Sequence, residues 1–375
     1  MKKSLIALAV LAAAGTASAQ SSVTLFGIVD ATVQRVSNNG GPSVTRLTNS
    51  GYNSSRLGFR GTEDLGGGMS ASFWLEVGLN NDDGTGAATN VNNQNTANAT
   101  AAPRAGTQGL TFNRRSTVSL AGGWGEVRLG RDYTPQFFNL TVFDPFGTNG
   151  VGTTQTLSSI ITGPTAVRAS NSIGYFLPGN LGGFYGQLQY YMGENANNVA
   201  NKKDGTGWGG RVGYAAGPFN VALSLSRTDY AAATVAAASA AGGLGGAAGS
   251  NVKQNNIGGQ WDFGMAKLMG HYSWDSLGTT DAKGWLIGGL VPVGAGEIRA
   301  SFSQYTVDNA AGADPRSRKF ALGYVHNLSK RTALYTTYAR VRNSNGAAAA
   351  VAGGAGAPVA NGSSSGFDLG IRHSF

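Results

Sequence analysis

Five arginines lie on the polar phase of short segments in which apolar and polar residues alternate. Their side chains are the most informative about the chemistry that this protein could perform. They are Arg56, Arg60, Arg115, Arg128 and Arg168. Alternation with a period of two is typical of a β-strand that has one apolar and one polar face, so all five are predicted on polar faces. Guanidinium groups stay charged at any working pH, and rings of them inside a channel favour anions. The same polar placement is expected of Arg299, Arg340, Arg342 and Arg372.

Catalysis is the main alternative chemistry, and the histidines argue against it. The chain has only three, His271, His326 and His373. His373 is predicted on the apolar face of a strand, and His326 lies beside a short turn. His271 is followed by Ser273 and Asp275, but neighbours two apart on one strand do not build a catalytic triad. We therefore do not expect an enzyme.

Alternating segments recur along nearly the whole chain, and they must position the arginines. More than ten of them, with almost no helical pattern between, predict an all-β fold. Residues 366–375 are the clearest case, since Phe367, Leu369, Ile371 and Phe375 share one phase. Such a strand, with one apolar and one polar face, is typical of the closing strand of an outer-membrane barrel.

The connections between these segments are of two kinds. Short Gly-rich turns alternate with long segments rich in Asn, Ala, Gly and Thr. The long ones are roughly 37–53, 80–108, 132–167, 194–207, 228–252, 275–283, 306–317 and 343–365. Short turns at one end and long loops at the other are typical of transmembrane barrels. Eight long connections predict a transmembrane antiparallel β-barrel of about 16 strands.

The first residues indicate export. Lys2 and Lys3 precede an apolar run over 5–14, and the small residues at 17–19 predict cleavage before Gln20. Residues 1–19 are thus predicted to be a signal peptide, because the apolar run is too short to span a bilayer as a helix. The remaining domain is 20–375.

Composition agrees with an exported barrel. The 375 residues include 59 Gly, 10 Pro and no Cys, so a closed backbone ladder is a reasonable source of stability without disulfides. Only 13% of residues are charged, yet the formal net charge is +9. This basicity suggests anionic partners, but an exported chain without a clustered basic run is not expected to bind nucleic acid.

Several sequence motifs resemble those of the trimeric general-diffusion porins of Gram-negative bacteria, especially the β-proteobacterial branch. They are SVTLFG at 22–27 followed by Asp30, SRLGFRGTEDLGGG at 55–68, GEVRLGR at 125–131, NLSKRT at 327–332 followed by Leu334 and Tyr335, and the terminal Phe375. The resemblance implies a sixteen-stranded barrel, a homotrimer, and a third long loop, 132–167, folded inward to constrict the pore. It also implies that Phe375 marks the chain for the barrel-assembly machinery.

The resemblance supports an arginine cluster on the wall that faces this loop. Arg56, Arg115 and Arg168 lie in the matching segments, and Arg60 and Arg128 are further candidates. An alternative is that these arginines merely pair with carboxylates such as Asp30, Glu76 and Glu126. Asp132 and Asp144 are the only acids of the loop, so the basic wall outnumbers them. Seven residues are expected to hold the loop on the wall: Pro135, Phe137, Phe138, Phe143, Pro145, Phe146 and Gly147.

These features together predict an outer-membrane porin that passes small hydrophilic solutes and prefers anions. A channel specific for one anion, such as phosphate or an organic acid, is the alternative, whereas a plugged adhesive barrel conflicts with the polar lumen phase. The expected partners are small anionic or neutral solutes, outer-membrane lipid and lipopolysaccharide. No cofactor is expected, although the oxygen-bearing residues 80–84 leave weak loop calcium open.

Overall fold

The computed structural model describes residues 22–87, 89, 92–94, 109–157, 163–231, 251–309 and 312–375. The predicted signal peptide and its cleavage site lie outside these residues. The described strands are β1 (Ser22–Asn38), β2 (Ser43–Asn49), β3 (Arg56–Gly66), β4 (Met69–Asn80), β5 (Thr85–Gly86), β6 (Arg115–Gly122), β7 (Gly125–Tyr133), β8 (Arg168–Phe176), β9 (Phe184–Tyr191), β10 (Thr206–Ala216), β11 (Phe219–Asp229), β12 (Asn251–Asp262), β13 (Lys267–Leu277), β14 (Thr280–Val293), β15 (Gly296–Val307), β16 (Arg316–Asn327), β17 (Thr332–Ser344) and β18 (Ser363–Ser374). The one helix in the described ranges is α1 (Pro135–Val142). No helix in those ranges has the length and apolar character needed to cross a bilayer.

Antiparallel pairing connects the strands into one closed ring. Strands β2 and β3 both pair with β1, on successive parts of its length, so they form one interrupted barrel strand. The two-residue β5 pairs only with the end of β4, and β4 continues to β6. Strand β18 closes the ring on β1, from Ile28 opposite Ser374 to Asn38 opposite Ser364. The eighteen segments therefore make sixteen barrel strands, which confirms the predicted antiparallel β-barrel.

The barrel wall is apolar outside and polar inside. On β1, Val29 and Val33 are 38% and 51% exposed, whereas Asp30 and Thr32 between them are fully buried. The burial pattern is the reverse of that of a soluble protein, because the apolar face of each strand meets lipid and the polar face meets the lumen. The period-two patterns predicted this arrangement.

Two predicted connections are shorter in the structure. Strands β13 and β14 extend through most of 275–283, and only residues 278–279 join Leu277 to its register partner Thr280. Gly278 has φ +59, which suits the tight turns that join twisted strands. Segment 37–53 likewise contains the end of β1 and all of β2. The polar composition of these two segments indicated loops. The strands nevertheless continue beyond the apolar band, which is the belt of outward apolar side chains that faces lipid.

The predicted inward placement of Arg340 and Arg342 is wrong. Both are exposed and share the outward phase of β17 with Leu334 and Tyr338, while Val341 and Asn343 are buried. The outward phase of this strand changes from apolar to basic where it passes beyond the apolar band. A charged residue at that level does not have to face the lumen.

Candidate functional site

The segment between β7 and β8 lies against inward-facing side chains of the opposite wall. Its helix begins at Pro135, after Thr134 in extended conformation, and proline suits this first position because it lacks the N–H that would be unpaired there. The Asn139 amide donates to the Ala222 carbonyl oxygen at 3.0 Å and to the Asn256 side-chain oxygen at 2.7 Å. Asn256 in turn donates to the Gln136 carbonyl oxygen at 3.0 Å. These bonds hold α1 on β11 and β12.

Wall glycines make room for the rest of this segment, which we call the inner loop (residues 134–157 and 163–167). A β-carbon on Gly258 would overlap the Phe143 ring, and one on Gly366 would lie 2.7 Å from Val151. Gly288 is similarly close to Pro145. Phe143 and Val151 are fully buried, and Phe146 is nearly so. The inner loop thus lies close along the wall from β10 to β18.

The two predicted loop acids do not present free carboxylates to the lumen. Asp144 is buried and accepts from the backbone N–H groups of Phe146, Thr148 and Thr154 at 2.9, 3.3 and 3.0 Å. Burial raises the pKa of the Asp144 carboxyl, although these donors oppose the rise. Asp144 therefore organises the loop backbone.

Asp132 is not a loop residue, which corrects the predicted loop boundary. It lies in β7, beside the register shift between Gly130 and Asp132, and β7 continues to Tyr133. Its Oδ2 is 2.6 Å from Nη1 of Arg128 and 3.7 Å from Nε of Arg115. The bulge turns this carboxylate toward the arginines on the same strand and on β6. Asp132 is thus a paired wall residue.

The first arginine cluster faces the inner loop and consists of Arg56, Arg114 and Arg168. Nε of Arg114 is 2.6 Å from Oε1 of Glu76, and Nη1 of Arg56 is 3.6 Å from the same oxygen. Arg114 and Arg168 both donate to the Tyr133 hydroxyl, at 2.8 and 2.9 Å. The three arginines line a cavity of about 530 Å³ whose other wall includes residues 147–149 and Phe138 of the inner loop.

The second cluster lies next to the first and consists of Arg115, Arg128 and Arg211. They line a cavity of about 420 Å³ together with Asp132, Phe138 and Tyr185. Each guanidinium lies over an aromatic ring, at 4.5 Å from the Trp74 centroid for Arg115, 4.0 Å from Phe176 for Arg128 and 4.7 Å from Tyr185 for Arg211. The rings restrict these side chains without neutralising their charge.

Arg60 lies beside the second cluster, because it shares the Trp74 ring with Arg115. It is exposed, and its Cζ lies 5.3 and 5.1 Å from the ring centroids of Phe26 and Trp74. It lines neither cavity. The structure therefore brings Arg56 together with Arg168, and Arg115 together with Arg128, while Arg60 contacts the second cluster only through Trp74.

Arg114, Arg211 and Tyr133 were not predicted from the sequence. Arg211 could have been found, because Trp208, Val212 and Tyr214 occupy the opposite phase of β10. Arg114 could not, because it precedes the first residue of β6 and adjacent arginines on a regular strand should face opposite sides. The bridging hydroxyl of Tyr133 depends on contacts between distant segments, which periodicity does not reveal.

Positive charge predominates in the two clusters. Six arginines line the two cavities, and three carboxylates, Glu76, Glu126 and Asp132, lie within ion-pair distance of members of the clusters. The predicted alternative is that lumen arginines merely pair with wall acids. It accounts for Arg114 and Arg128, at 2.6 Å, and more loosely for Arg56 and Arg115, at 3.6 and 3.7 Å, but not for Arg168 or Arg211. Neither of those two is within 4.0 Å of a carboxylate in the described part of the chain. A net positive potential in these cavities follows.

Nothing in the described ranges resembles a metal centre. No group of three or more His, Asp or Glu side chains there could hold a metal ion. In the predicted calcium segment, the Asp83 carboxylate accepts from the backbone N–H and hydroxyl of Thr85 at 2.9 and 2.7 Å. These hydrogen bonds lower the pKa of Asp83. Loop calcium stays an untested prediction.

Phe375 lies at the barrel seam. Its backbone N–H and carbonyl exchange two 3.1 Å hydrogen bonds with Gly27, and its ring packs over Gly27 on the outward phase of β1. The ring is 42% exposed. Recognition of Phe375 during assembly stays a prediction.

Comparison with known proteins completes this picture. A model of the Gram-negative porin family matches residues 5–346. The chain is 39% identical to outer membrane porin protein 32 of Delftia acidovorans over the full length of both chains. The chain belongs to the Gram-negative porin family. This porin is also 28% identical to an outer membrane porin protein of Bordetella pertussis, over 92% of its own length and 95% of that protein.

Solved structures give the same result. The porin superposes on the anion-selective porin from Comamonas acidovorans with a TM-score of 0.78 and 35% identity, covering 95% of this chain and 100% of that one. OmpT of Vibrio cholerae shares the fold at 13% identity, with a TM-score of 0.64 over 96% and 99% of the two chains. The porin therefore forms a passive diffusion channel in the outer membrane, and it is not an enzyme.

Proposed function

We propose that this porin prefers anions, and that the two arginine clusters carry the preference. The observation that supports this most strongly is the excess of six arginines over three carboxylates where the inner loop faces the wall. Arg56, Arg115 and Arg168 are the proposed main contributors. Arg128 is paired closely with Glu126 and Asp132, at 3.0 and 2.6 Å, whereas Arg56 and Arg115 lie 3.6 and 3.7 Å from their carboxylates. Arg60 lines neither cavity.

The magnitude is sufficient for selectivity. Two unit charges 8 Å apart interact by about 2 kcal/mol at an effective dielectric of about 20. A difference of about 1.4 kcal/mol is already tenfold in local ion population. The similarity to a structure titled an anion-selective porin supports the same direction.

Reversal potentials in a potassium chloride gradient test the proposal. Wild type should favour chloride, most strongly at low salt, because the Debye length falls from about 10 Å at 0.1 M to about 3 Å at 1 M. Arg56→Glu, Arg115→Glu and Arg168→Glu combined should reverse the sign. The matched control converts three basic residues that line neither cavity, Arg227, Lys283 and Arg331, to Glu. Cation preference in wild type, or equal shifts in the two triple variants, would refute the proposal.

A channel specific for organic acids is a second candidate, and the aromatic lining of the second cavity favours it. Phe138, Phe176 and Tyr185 lie beside Arg115, Arg128 and Arg211 there. An anion with a flat apolar body could contact the rings while its carboxylate meets a guanidinium. Benzoate should then block chloride current at lower concentration than phosphate does. Equal block by both anions would leave general anion diffusion as the function.

We further propose that the protein is exported with cleavage before Gln20, inserted by the barrel-assembly machinery, and assembled as a homotrimer in contact with lipopolysaccharide. Family membership supports these steps in general terms. N-terminal sequencing of membrane-extracted protein should begin at Gln20. Unboiled protein should migrate as a trimer in detergent electrophoresis and as a monomer after boiling. An uncleaved N-terminus or a monomer without boiling would contradict the corresponding step.

A further inference from the structure

Lys319 of β16 is buried inside the barrel and lines neither of the two arginine cavities. Its side chain is 1% exposed, on the inward phase between Arg318 and Phe320, which are both exposed. Its ammonium group donates to the Val351 carbonyl oxygen at 3.0 Å. A buried charge is costly unless other charges and hydrogen bonds stabilise it, so the surroundings of this lysine indicate what it does.

Two buried carboxylates supply the opposite charge, and both also hold the backbone of the inner loop. Asp144 accepts from three N–H groups of the loop. Asp368 of β18 accepts from the Val151 N–H at 2.8 Å and from the Gln34 side-chain amide at 2.9 Å. Both carboxylates interact electrostatically with Lys319, although neither is within 4.0 Å of its nitrogen. The ammonium is therefore shared by two acids rather than paired with one.

The carbonyl that Lys319 contacts belongs to residues 345–362, the connection between β17 and β18, which we call the last connection. This segment folds inward onto the wall. The Val351 N–H donates to the Ser364 hydroxyl at 3.0 Å, and the Ala349 N–H donates to the Asn343 side-chain oxygen at 3.1 Å. Lys319 thus joins two segments that are distant in the sequence, because its hydrogen bond holds the last connection and its charge faces the acids that hold the inner loop.

Apolar side chains of the same two segments share one core with the wall. Its members are Phe146 and Val151 of the inner loop, Val351 and Ala355 of the last connection, and Val36, Ala321, Ala339 and Val341 of the wall. A β-carbon on Gly366 would lie 2.7 Å from both Val151 and Val351, so these two side chains meet over one glycine. The inner loop and the last connection therefore support each other, and neither can leave the wall without uncovering the other.

We propose that Lys319 is a positioning residue for the channel, which locks the inner loop to the last connection so that both stay on the wall as one unit. With the ammonium group present, two buried carboxylates face one cation. Without it, two like charges remain in a site of low dielectric, where their repulsion is poorly screened. Water would then enter, and the two segments would separate and move into the lumen. The inference goes beyond the anion preference proposed above and does not depend on it.

Single-channel recordings from Lys319→Met test the proposal, because methionine retains an unbranched side chain and removes the charge. We expect frequent partial closures and severalfold more open-channel noise than in wild type. The reversal potential should keep its sign, since both arginine clusters are intact. Lys283→Met is the matched control. It removes an exposed lysine that is paired with Asp308 at 3.4 Å, and it should conduct like wild type.

A reversible cross-link separates loop positioning from a general loss of structure. The chain has no cysteine, so Val151→Cys with Val351→Cys introduces one possible disulfide, between the residues that meet over Gly366. In the Lys319→Met background the oxidised protein should be as quiet as wild type, and a reductant added to the bilayer should start the partial closures. Because this protein is assembled in the oxidised form, poor folding of Lys319→Met alone does not prevent the test.

Quiet current in Lys319→Met, or partial closures that persist in the oxidised protein, would overturn the proposal. So would failure of the two cysteines to form a disulfide in protein that retains Lys319, because the inner loop and the last connection would then not lie together.

Discussion

The ring of Phe143 occupies the space that a side chain on Gly258 would need, so the inner loop can lie flat on β12 only while residue 258 is glycine. Phe143 is fully buried there and Asn139 is bonded to the same strand through Asn256. One wall position thus controls how far an eight-residue helix and its following turn extend into the lumen.

Replacing this glycine should narrow the channel, because the inner loop would be pushed off the wall and into the lumen. Gly258→Val should displace Phe143, at a cost of about 1.5–3 kcal/mol for the lost burial of an aromatic side chain. We expect smaller single-channel conductance and more current noise than in wild type. Gly259→Val is the control, because Gly259 is on the outward phase and a β-carbon there has its nearest neighbour at 3.4 Å. Equal conductance of the two variants would contradict the assigned position of the loop.

Removing the carboxylate of the first cluster should strengthen anion preference. Glu76→Gln keeps the shape of the side chain but leaves Arg56 and Arg114 without their shared counter-charge. The chloride-to-potassium permeability ratio should rise severalfold at 0.1 M salt and less at 1 M. Glu297→Gln removes an equal charge that is paired with Arg299 outside both cavities. An unchanged ratio in Glu76→Gln, or the same rise in both variants, would show that the first cluster does not control selectivity.

The hydroxyl of Tyr133 should fix the guanidinium positions rather than supply selectivity. Tyr133→Phe removes the oxygen that accepts from Arg114 and Arg168 but keeps the ring beneath Arg168, whose Cζ is 4.4 Å from the centroid. Hydrogen bonds to charged groups contribute about 1.5–3 kcal/mol each, so both side chains should become more mobile. Single-channel noise should increase while the reversal potential keeps its sign. Tyr338→Phe, on the outward face, should change neither quantity.

Phe375 packs against Gly27 and is also the proposed assembly signal. A charged substitution distinguishes these two roles. Phe375→Asp places a charge near the membrane boundary, where the direct cost is about 0–1 kcal/mol. Loss of most barrel protein from outer-membrane fractions would therefore indicate recognition during assembly. Leu328→Asp introduces the same charge at an exposed residue of a short turn, where it should be tolerated. Similar amounts of the two variants in outer-membrane fractions would indicate that Phe375 only packs against Gly27 and is not recognised during assembly.

The number of strands and the side of the wall on which most side chains lie were predictable. Lipid on one side and water on the other impose a period of two on every strand. Arg56, Arg115 and Arg168 were placed on the inward face by that rule alone. The rule failed for Arg340 and Arg342, because beyond the apolar band the outward face is no longer required to be apolar. It also gave no warning of the bulge that carries Asp132 into a pair with Arg128.

The contacts of the inner loop were less predictable for a different reason. Pro135, Phe143 and Phe146 indicated that some surface must receive them, but not which one. That information is spread over glycines of β10, β12, β14, β16 and β18, which are distant in sequence from the loop. A glycine on the inward face has no side chain whose type would indicate a packing partner. Its contact with the inner loop could therefore be identified only once the strand register was known.

The seam between β1 and β18 has a consequence for the order of events during biogenesis. The first described strand pairs with the last, across more than 320 intervening residues, and every other strand adds between them. A partly translocated chain would therefore expose two unpaired edges that could join other chains. Such long-range closure is slow compared with local hairpin formation. We therefore expect that the two edges must be kept from other chains until β18 is available to pair with β1.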